Sequence, residues 1–221
     1  MPVDRITRFG FVNGYLVEEE NGLTLVDTML PRSSKAILAA AEKTGKPITT
    51  ILLTHAHGDH IGSLDELHAA LPEAAVVISA RDSRYLDKVM TLDPDEPQEK
   101  LRGSYPGAET KPTRLIAPGE RVGSLEVIAS PGHTPGHVSF LDTRDRTLYA
   151  GDAWVTLGGV ATPAKPSPWF PLPGMATWHK PTALASAKAL RALEPARLAP
   201  GHGKVVEDPG AAMDAAIRRA E

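Results

Sequence analysis

The chain has 221 residues, 42% of them apolar, and a formal net charge of −3, which suits one domain with a sizeable core and gives no basic field for a nucleic-acid backbone. Eight His and no Cys exclude disulfides and thiolate ligands and leave His, Asp and Glu for any metal chemistry. The first ten residues carry Asp4, Arg5 and Arg8 with no apolar run behind them, so neither a secretory signal nor a membrane span is expected and a cytoplasmic location is the default.

In chain order, residues 11–18 and 23–27 are apolar runs flanking Asn21-Gly22, a hairpin signal. Residues 31–45 read as a helix: Ser33 or Ser34 can cap it, Ile37, Leu38 and Ala41 fall at helical spacing, and Gly45 stops it. Ile51, Leu52 and Leu53 form a continuous apolar strand of the kind covered on both faces. Residues 63–71 predict a short helix with Ser63 and Glu66 spaced as a capping box, residues 75–78 a strand and 80–89 a helix. Residues 90–105, polar and Pro-rich, form a surface loop able to border a cleft. Strands follow at 125–128, 138–141 and 147–150, the last two joined by a turn at 142–146, then a helix at 182–193 and a short strand at 196–199 that runs into Pro200-Gly-His202. The second half echoes the first: a hairpin ending in Asp (Asp27, Asp152), a helix, then a strand that presents His. Strands and helices alternating in this way imply an α/β fold of two pseudo-repeated halves.

The strand at 51–53 empties into Thr54-His-Ala-His-Gly-Asp-His60. On a loop, His55 and His57 can project to one side, whereas on a helix they would diverge; Ala56 and Gly58 leave room around them. Three imidazoles and a carboxylate so close would repel or desolvate one another without a shared cation, which points to a metal site.

This stretch resembles the HxHxDH signature of the metallo-β-lactamase superfamily. The resemblance implies a four-layer αβ/βα sandwich formed by residues 1–221 as a single domain, with one site between the two halves. It also implies a ligand set: His55, His57 and His133 as one trio, Asp59, His60 and His202 as a second, and Asp152 between them. Seven ligands suit two divalent cations, zinc first, with iron or manganese compatible. Asp59 is the implied catalytic residue, binding metal and orienting the nucleophile. The implied reaction is hydrolysis of an ester, lactone or thioester by a hydroxide bridging two metals about 3.5–4 Å apart. A mononuclear iron persulfide dioxygenase-like enzyme and a β-lactam-hydrolysing member are the alternatives. Asp152 stands where metallo-β-lactamases proper commonly have Cys or no acid, and Val155 where many N-acyl homoserine lactonases have Tyr. Glyoxalase II-like thioesterases share the seven ligands, but the stretch after His202 is too short for their C-terminal glutathione domain.

All three Trp lie between residues 153 and 180, where Trp154, Trp169, Phe170, Met175, Trp178 and His179 either wall a substrate pocket or pack a long connection against the core. A wall would suit an acyl or lactone substrate. His137 is expected to support its loop, and Thr134 and Asp27 to hydrogen-bond ligands from behind. The expected partner is a small molecule, with neither nucleic acid nor membrane; a homodimer is compatible.

Overall fold

The computed structural model describes residues 4–221; residues 1–3 of the charged N-terminal stretch lie outside the described residues. The chain runs β1 (Asp4–Arg8), β2 (Val12–Glu19), β3 (Gly22–Val26), α1 (Ser34–Thr44), β4 (Ile48–Leu52), α2 (Gly58–Ile61), α3 (Leu64–Ala70), β5 (Ala75–Ser79) and α4 (Ala80–Leu86). It continues with β6 (Arg114–Ile116), β7 (Arg121–Val122), β8 (Leu125–Ala129), β9 (Val138–Asp142), β10 (Thr147–Val155), α5 (Leu172–Met175), α6 (Lys180–Ala192), β11 (Arg197–His202), β12 (Val206–Glu207) and α7 (Gly210–Ala220). The strands pair in the order β6-β5-β4-β3-β2-β11-β10-β9-β8-β7, with β1 on β2 and β12 on β11. The two halves of this path meet where β2 and β11 share the pair His202 and Val12.

Strand side chains alternate between faces, and the alternation divides the core into three. Leu25, Ile51, Leu53, Val76 and Ile78 pack with Ile37, Leu64, Leu67 and Tyr85 of α1, α3 and α4. Tyr15, Val26, Leu52 and Val77 turn the other way and meet Val127, Val138, Phe140 and Tyr149 from the second half. Leu148, Ala150 and Leu198 face Ala187, Leu190, Met213 and Ala216 of α6 and α7. The layers are therefore helix, sheet, sheet, helix: the αβ/βα sandwich expected. Both halves repeat a parallel pair joined by a helix, β3-α1-β4 and β10-α6-β11.

Several local expectations change. The residues of the hairpin turn are Glu20 and Asn21, because Gly22 already pairs with Glu19. Gly22 is needed for a close approach instead: a Cβ there would stand 2.5 Å from the Pro47 carbonyl oxygen, the oxygen that accepts the Leu23 N–H. The capping box does not form, since Ser63 Oγ donates to the Leu30 carbonyl and accepts the Ser33 N–H, while Glu66 accepts from Ser34 Oγ. Those bonds tie α3 to the start of α1. The polar edge strand β1, the short strands β6, β7 and β12, and α7 are additional. No helix among the described residues is long and apolar enough to cross a membrane.

Phe140 is fully buried between the sheets. Phe140→Ala is expected to cost about 3–5 kcal/mol in urea unfolding, whereas Leu115→Ala, at a half-exposed edge position, is expected to stay within about 0.5 kcal/mol.

Candidate metal centre

All seven candidate side chains come together at the end of the sandwich where β4, β10 and β11 finish. Leu53 and Thr54 carry the chain from β4 to His55. The motif, expected on a loop, is half helix: His57 occupies the N-cap position of the single turn α2 without a side-chain capping bond, and α2 contains Asp59 and His60. His133 sits between β8 and β9, Asp152 within β10, and His202 ends β11. Potential ligand atoms lie within 4.8 Å of one another in each of three groups: His55, His57 and His133; His55, His60 and Asp152; Asp59, His60 and His202.

Hydrogen-bond partners on the outer side of His55, His57, His60 and His133 set the tautomer of each ring, whereas His202 Nδ1 is buried with none. The Thr54 hydroxyl donates to Asp27 Oδ2 at 2.8 Å and so accepts His55 Nδ1–H at 3.0 Å. His55 Nε2 is left buried with no partner. The Arg102 carbonyl accepts His57 Nε2–H at 3.0 Å. The Thr177 hydroxyl donates to the Pro173 carbonyl at 2.6 Å and accepts His133 Nδ1–H at 3.0 Å. His57 Nδ1 and His133 Nε2, both left as acceptors, then face each other at 3.0 Å. Asp27 Oδ2 also accepts His60 Nδ1–H at 2.7 Å, aiming Nε2 at Asp152 Oδ1, 3.3 Å away. Asp152 Oδ2 lies 3.4 Å from His133 Nε2 and 3.3 Å from His202 Nε2, which is 3.2 Å from Asp59 Oδ2. Asp152 thus spans both groups.

Burial first, then neighbouring imidazoles, hold His55 well below the ordinary range. Burial does the same to His133 and pushes His57 down to about 4, against the pull of nearby carboxylates. For His60 burial is outweighed by Asp27 and Asp152, which raise it well above its usual value. His202 rises to about 9 against burial because Asp152 and Asp59 face it. Burial favours the neutral acids, but His202 and His60 outweigh it and hold Asp59 and Asp152 below the usual carboxylate range. Neutral imidazole lone pairs on one side and ionised carboxylates on the other form a donor set that fits divalent cations bound by N and O.

Glycines at the site serve close approach. A Cβ on Gly201 would meet Asp152 Oδ1 at 2.5 Å and His60 Cε1 at 2.6 Å, and one on Gly132, at φ +125°, would meet the Ala183 nitrogen at 2.2 Å.

The aromatic stretch divides between core and surface. Trp154 is corrected from substrate wall to core residue: it is fully buried in the cluster beneath α6 and α7. Phe170 packs edge-on against Phe11, with its ring centroid 5.4 Å from that of His202. Met175 and Trp178, with Arg102 and Lys180, line a cavity of about 530 Å³. Trp169 is 88% exposed and lies over a separate cavity beside α7. His179 caps α6 by accepting the Thr182 N–H. His137 holds Asp152 from behind: Nε2 accepts the Asp152 N–H at 3.0 Å, and Nδ1 meets Ser130 Oγ at 2.8 Å. Thr134 bonds Asp82 instead of a ligand ring. Arg102, Thr177, Thr54 and Asp82 were not singled out from the sequence; of these only Thr54, beside the motif, had a local cue.

A family model described as the metallo-beta-lactamase superfamily matches residues 7–202. The uncharacterized protein YobT of Bacillus subtilis is 50% identical over 95% of this chain and 91% of its own. A hydroxyacylglutathione hydrolase of Rhodopseudomonas palustris is 28% identical over 66% of this chain; the match spans about half of that protein, 49% of its length. A crystal structure of TTHA1623 in a di-iron-bound form superposes with a TM-score of 0.69 at 28% identity, covering 95% of this chain and 96% of that one. The fold, the histidine motif and the family match agree: the chain belongs to the metallo-beta-lactamase superfamily.

Proposed function

We propose that the protein is a dinuclear metal-dependent hydrolase acting on an ester, lactone or thioester. The single observation that carries this is the 3.0 Å approach of two acceptor nitrogens, His57 Nδ1 and His133 Nε2, beside the unpartnered His55 Nε2. Such lone pairs repel unless a cation lies between them. In this proposal His55, His57 and His133 hold one cation, Asp59, His60 and His202 the other, and Asp152 joins the two. Bound divalent cations supply Lewis acidity and bring the pKa of a water toward neutrality.

The remaining work belongs to the side chains. Asp59, its side chain 36% exposed, is the most open of the acids and ligands and is held ionised by His202 and His60, so it can accept a hydrogen bond from the attacking water and orient it. Asp27, Arg102 and Thr177 keep the imidazoles from turning. Phe11 and Phe170 beside His202 offer an apolar face for an acyl group, and Met175 and Trp178 line the cavity that also bears Arg102. The R. palustris hydroxyacylglutathione hydrolase supports a thioester among the candidate substrates. Zinc is the proposed occupant; the di-iron form of TTHA1623 makes iron the second choice for the same donors.

Asp59→Ala is expected to lower kcat at least about a hundredfold while leaving the circular dichroism spectrum unchanged. The assay is a panel of p-nitrophenyl esters, acyl homoserine lactones, S-lactoylglutathione and a chromogenic β-lactam, run with zinc and with iron. Full turnover of every hydrolysed substrate by this variant contradicts the assignment, and oxygen consumption with one iron per chain would replace the hydrolase with a dioxygenase.

Cation uptake must also displace the protons that the acids hold on His60 and His202. Because both pKa values are raised, those protons are present below the raised value and gone above it, so affinity at the second group is expected to fall as pH drops below about 9. Calorimetric zinc titrations at pH 7.5 in buffers of different ionisation enthalpy should register release of about two protons per chain; heats independent of the buffer would contradict this.

A further inference from the structure

Asp82, in the first turn of α4, is fully buried, and the hydrogen bonds of its carboxylate go to Ala56, Thr134 and Gly136, not to any of the seven candidate ligand side chains. Its carboxylate is nevertheless bonded to both loops that carry the first histidine trio. Oδ2 accepts the Ala56 N–H at 3.0 Å and the Thr134 hydroxyl at 2.8 Å, and Oδ1 accepts the Gly136 N–H at 2.8 Å. Ala56 lies between His55 and His57, and Thr134 follows His133. One carboxylate therefore ties the backbone between His55 and His57 to the loop that follows His133, across the boundary between the halves.

The carboxylate is itself anchored. Ser79 Oγ accepts the Asp82 N–H at 3.1 Å and donates to the Gly136 carbonyl at 2.6 Å, so strand, helix and loop close on one another. The second ligand group hangs from different supports: Asp27 holds His60, and the Asn13 amide and Tyr15 hydroxyl donate to the Pro200 carbonyl ahead of His202. A buried carboxylate with three donors is a strong, directional brace, and losing it strands N–H groups with no water to replace it.

We propose that Asp82 is a positioning residue that sets the spacing between the His55–His57 segment and the His133 loop, and so controls the first cation site selectively. This rests on the paired-cation reading given under Proposed function. Asn at position 82 keeps the shape but turns an NH2 group toward at least one of the donors that Asp82 accepts.

The test is cobalt(II) binding to the full chain, followed by equilibrium dialysis and visible absorption, in the unsubstituted protein and in Asp82→Asn and Thr134→Val. His133→Ala and His202→Ala identify which equivalent belongs to which group. Asp82→Asn is expected to weaken the equivalent lost in His133→Ala on the order of 10- to 100-fold, shift its d–d bands, and leave the other within about threefold. Thr134→Val, which removes one donor and keeps the shape, should weaken the same equivalent by a smaller factor. Equal weakening of both equivalents, or no change in either, overturns the proposal. Should Asp82→Asn fail to fold, Thr134→Val decides alone by the same criterion. If the unsubstituted protein takes up no cobalt, the paired-cation reading falls and the brace with it; if it takes up two equivalents and the variants show no selectivity, only the brace falls.

Discussion

Two imidazole nitrogens that can only accept, His57 Nδ1 and His133 Nε2, stand 3.0 Å apart in a buried pocket, and the surrounding structure is organised to keep them there. Neither ring is free to turn away. The partner on the far side of His57 is a backbone carbonyl, which has no proton to give, and the partner of His133 is a hydroxyl whose proton is already committed to Pro173. Burial in turn keeps both rings neutral. A fold that removes water, fixes tautomers and aims lone pairs at a common point has built an affinity for cations into its resting geometry.

The sandwich makes this possible by ending its strands together. Seven side chains separated by up to most of the chain length arrive at one end because the parallel pairs β3/β4 and β10/β11 finish there, joined through the single pair between β2 and β11. Where strands stop, short segments with small residues take over, and three buried polar groups lock them. Asp27 serves Thr54 and His60, Asp82 ties the two histidine loops, and His137 accepts the Asp152 N–H. Each lies outside the ligand set and acts on it through a single layer of hydrogen bonds.

Much of this was legible in the sequence because the signals were dense and local. The His55 to His60 cluster lies within six consecutive residues, and the strand before it shows the unbroken apolar run of a doubly covered strand. The hairpin and the α1 stop at Gly45 were readable from turn and capping residues, though the turn itself sits one residue earlier than Asn21-Gly22, and the repeat of strand, helix, strand from spacing. Other features left too little trace. β7 and β12 are two residues each, shorter than any periodic pattern. β1 is a polar edge strand with little buried face. α7 did offer a cue in Met213, Ala216 and Ile217 at helical spacing after Pro209. Arg102 and Thr177 act through a carbonyl and through a hydroxyl distant in sequence, and Asp82 through two loops from separate halves; such partnerships exist only after folding. Trp154 misled because composition does not distinguish a core aromatic from one that walls a cleft.

The apolar face formed by Phe11 and Phe170 next to His202 and a cavity bearing Arg102 and Lys180 are the two surfaces that the proposed function assigns to substrate. What stands beneath any substrate is the convergence of nitrogen and oxygen donors able to hold cations. Anomalous diffraction across the zinc edge, from crystals grown with zinc, measures that directly. Two peaks are predicted, one held by His55 Nε2, His57 Nδ1 and His133 Nε2 and the other by Asp59, His60 and His202, with Asp152 reaching both. No anomalous peak among these residues, or peaks bound only elsewhere on the molecule, would contradict the account.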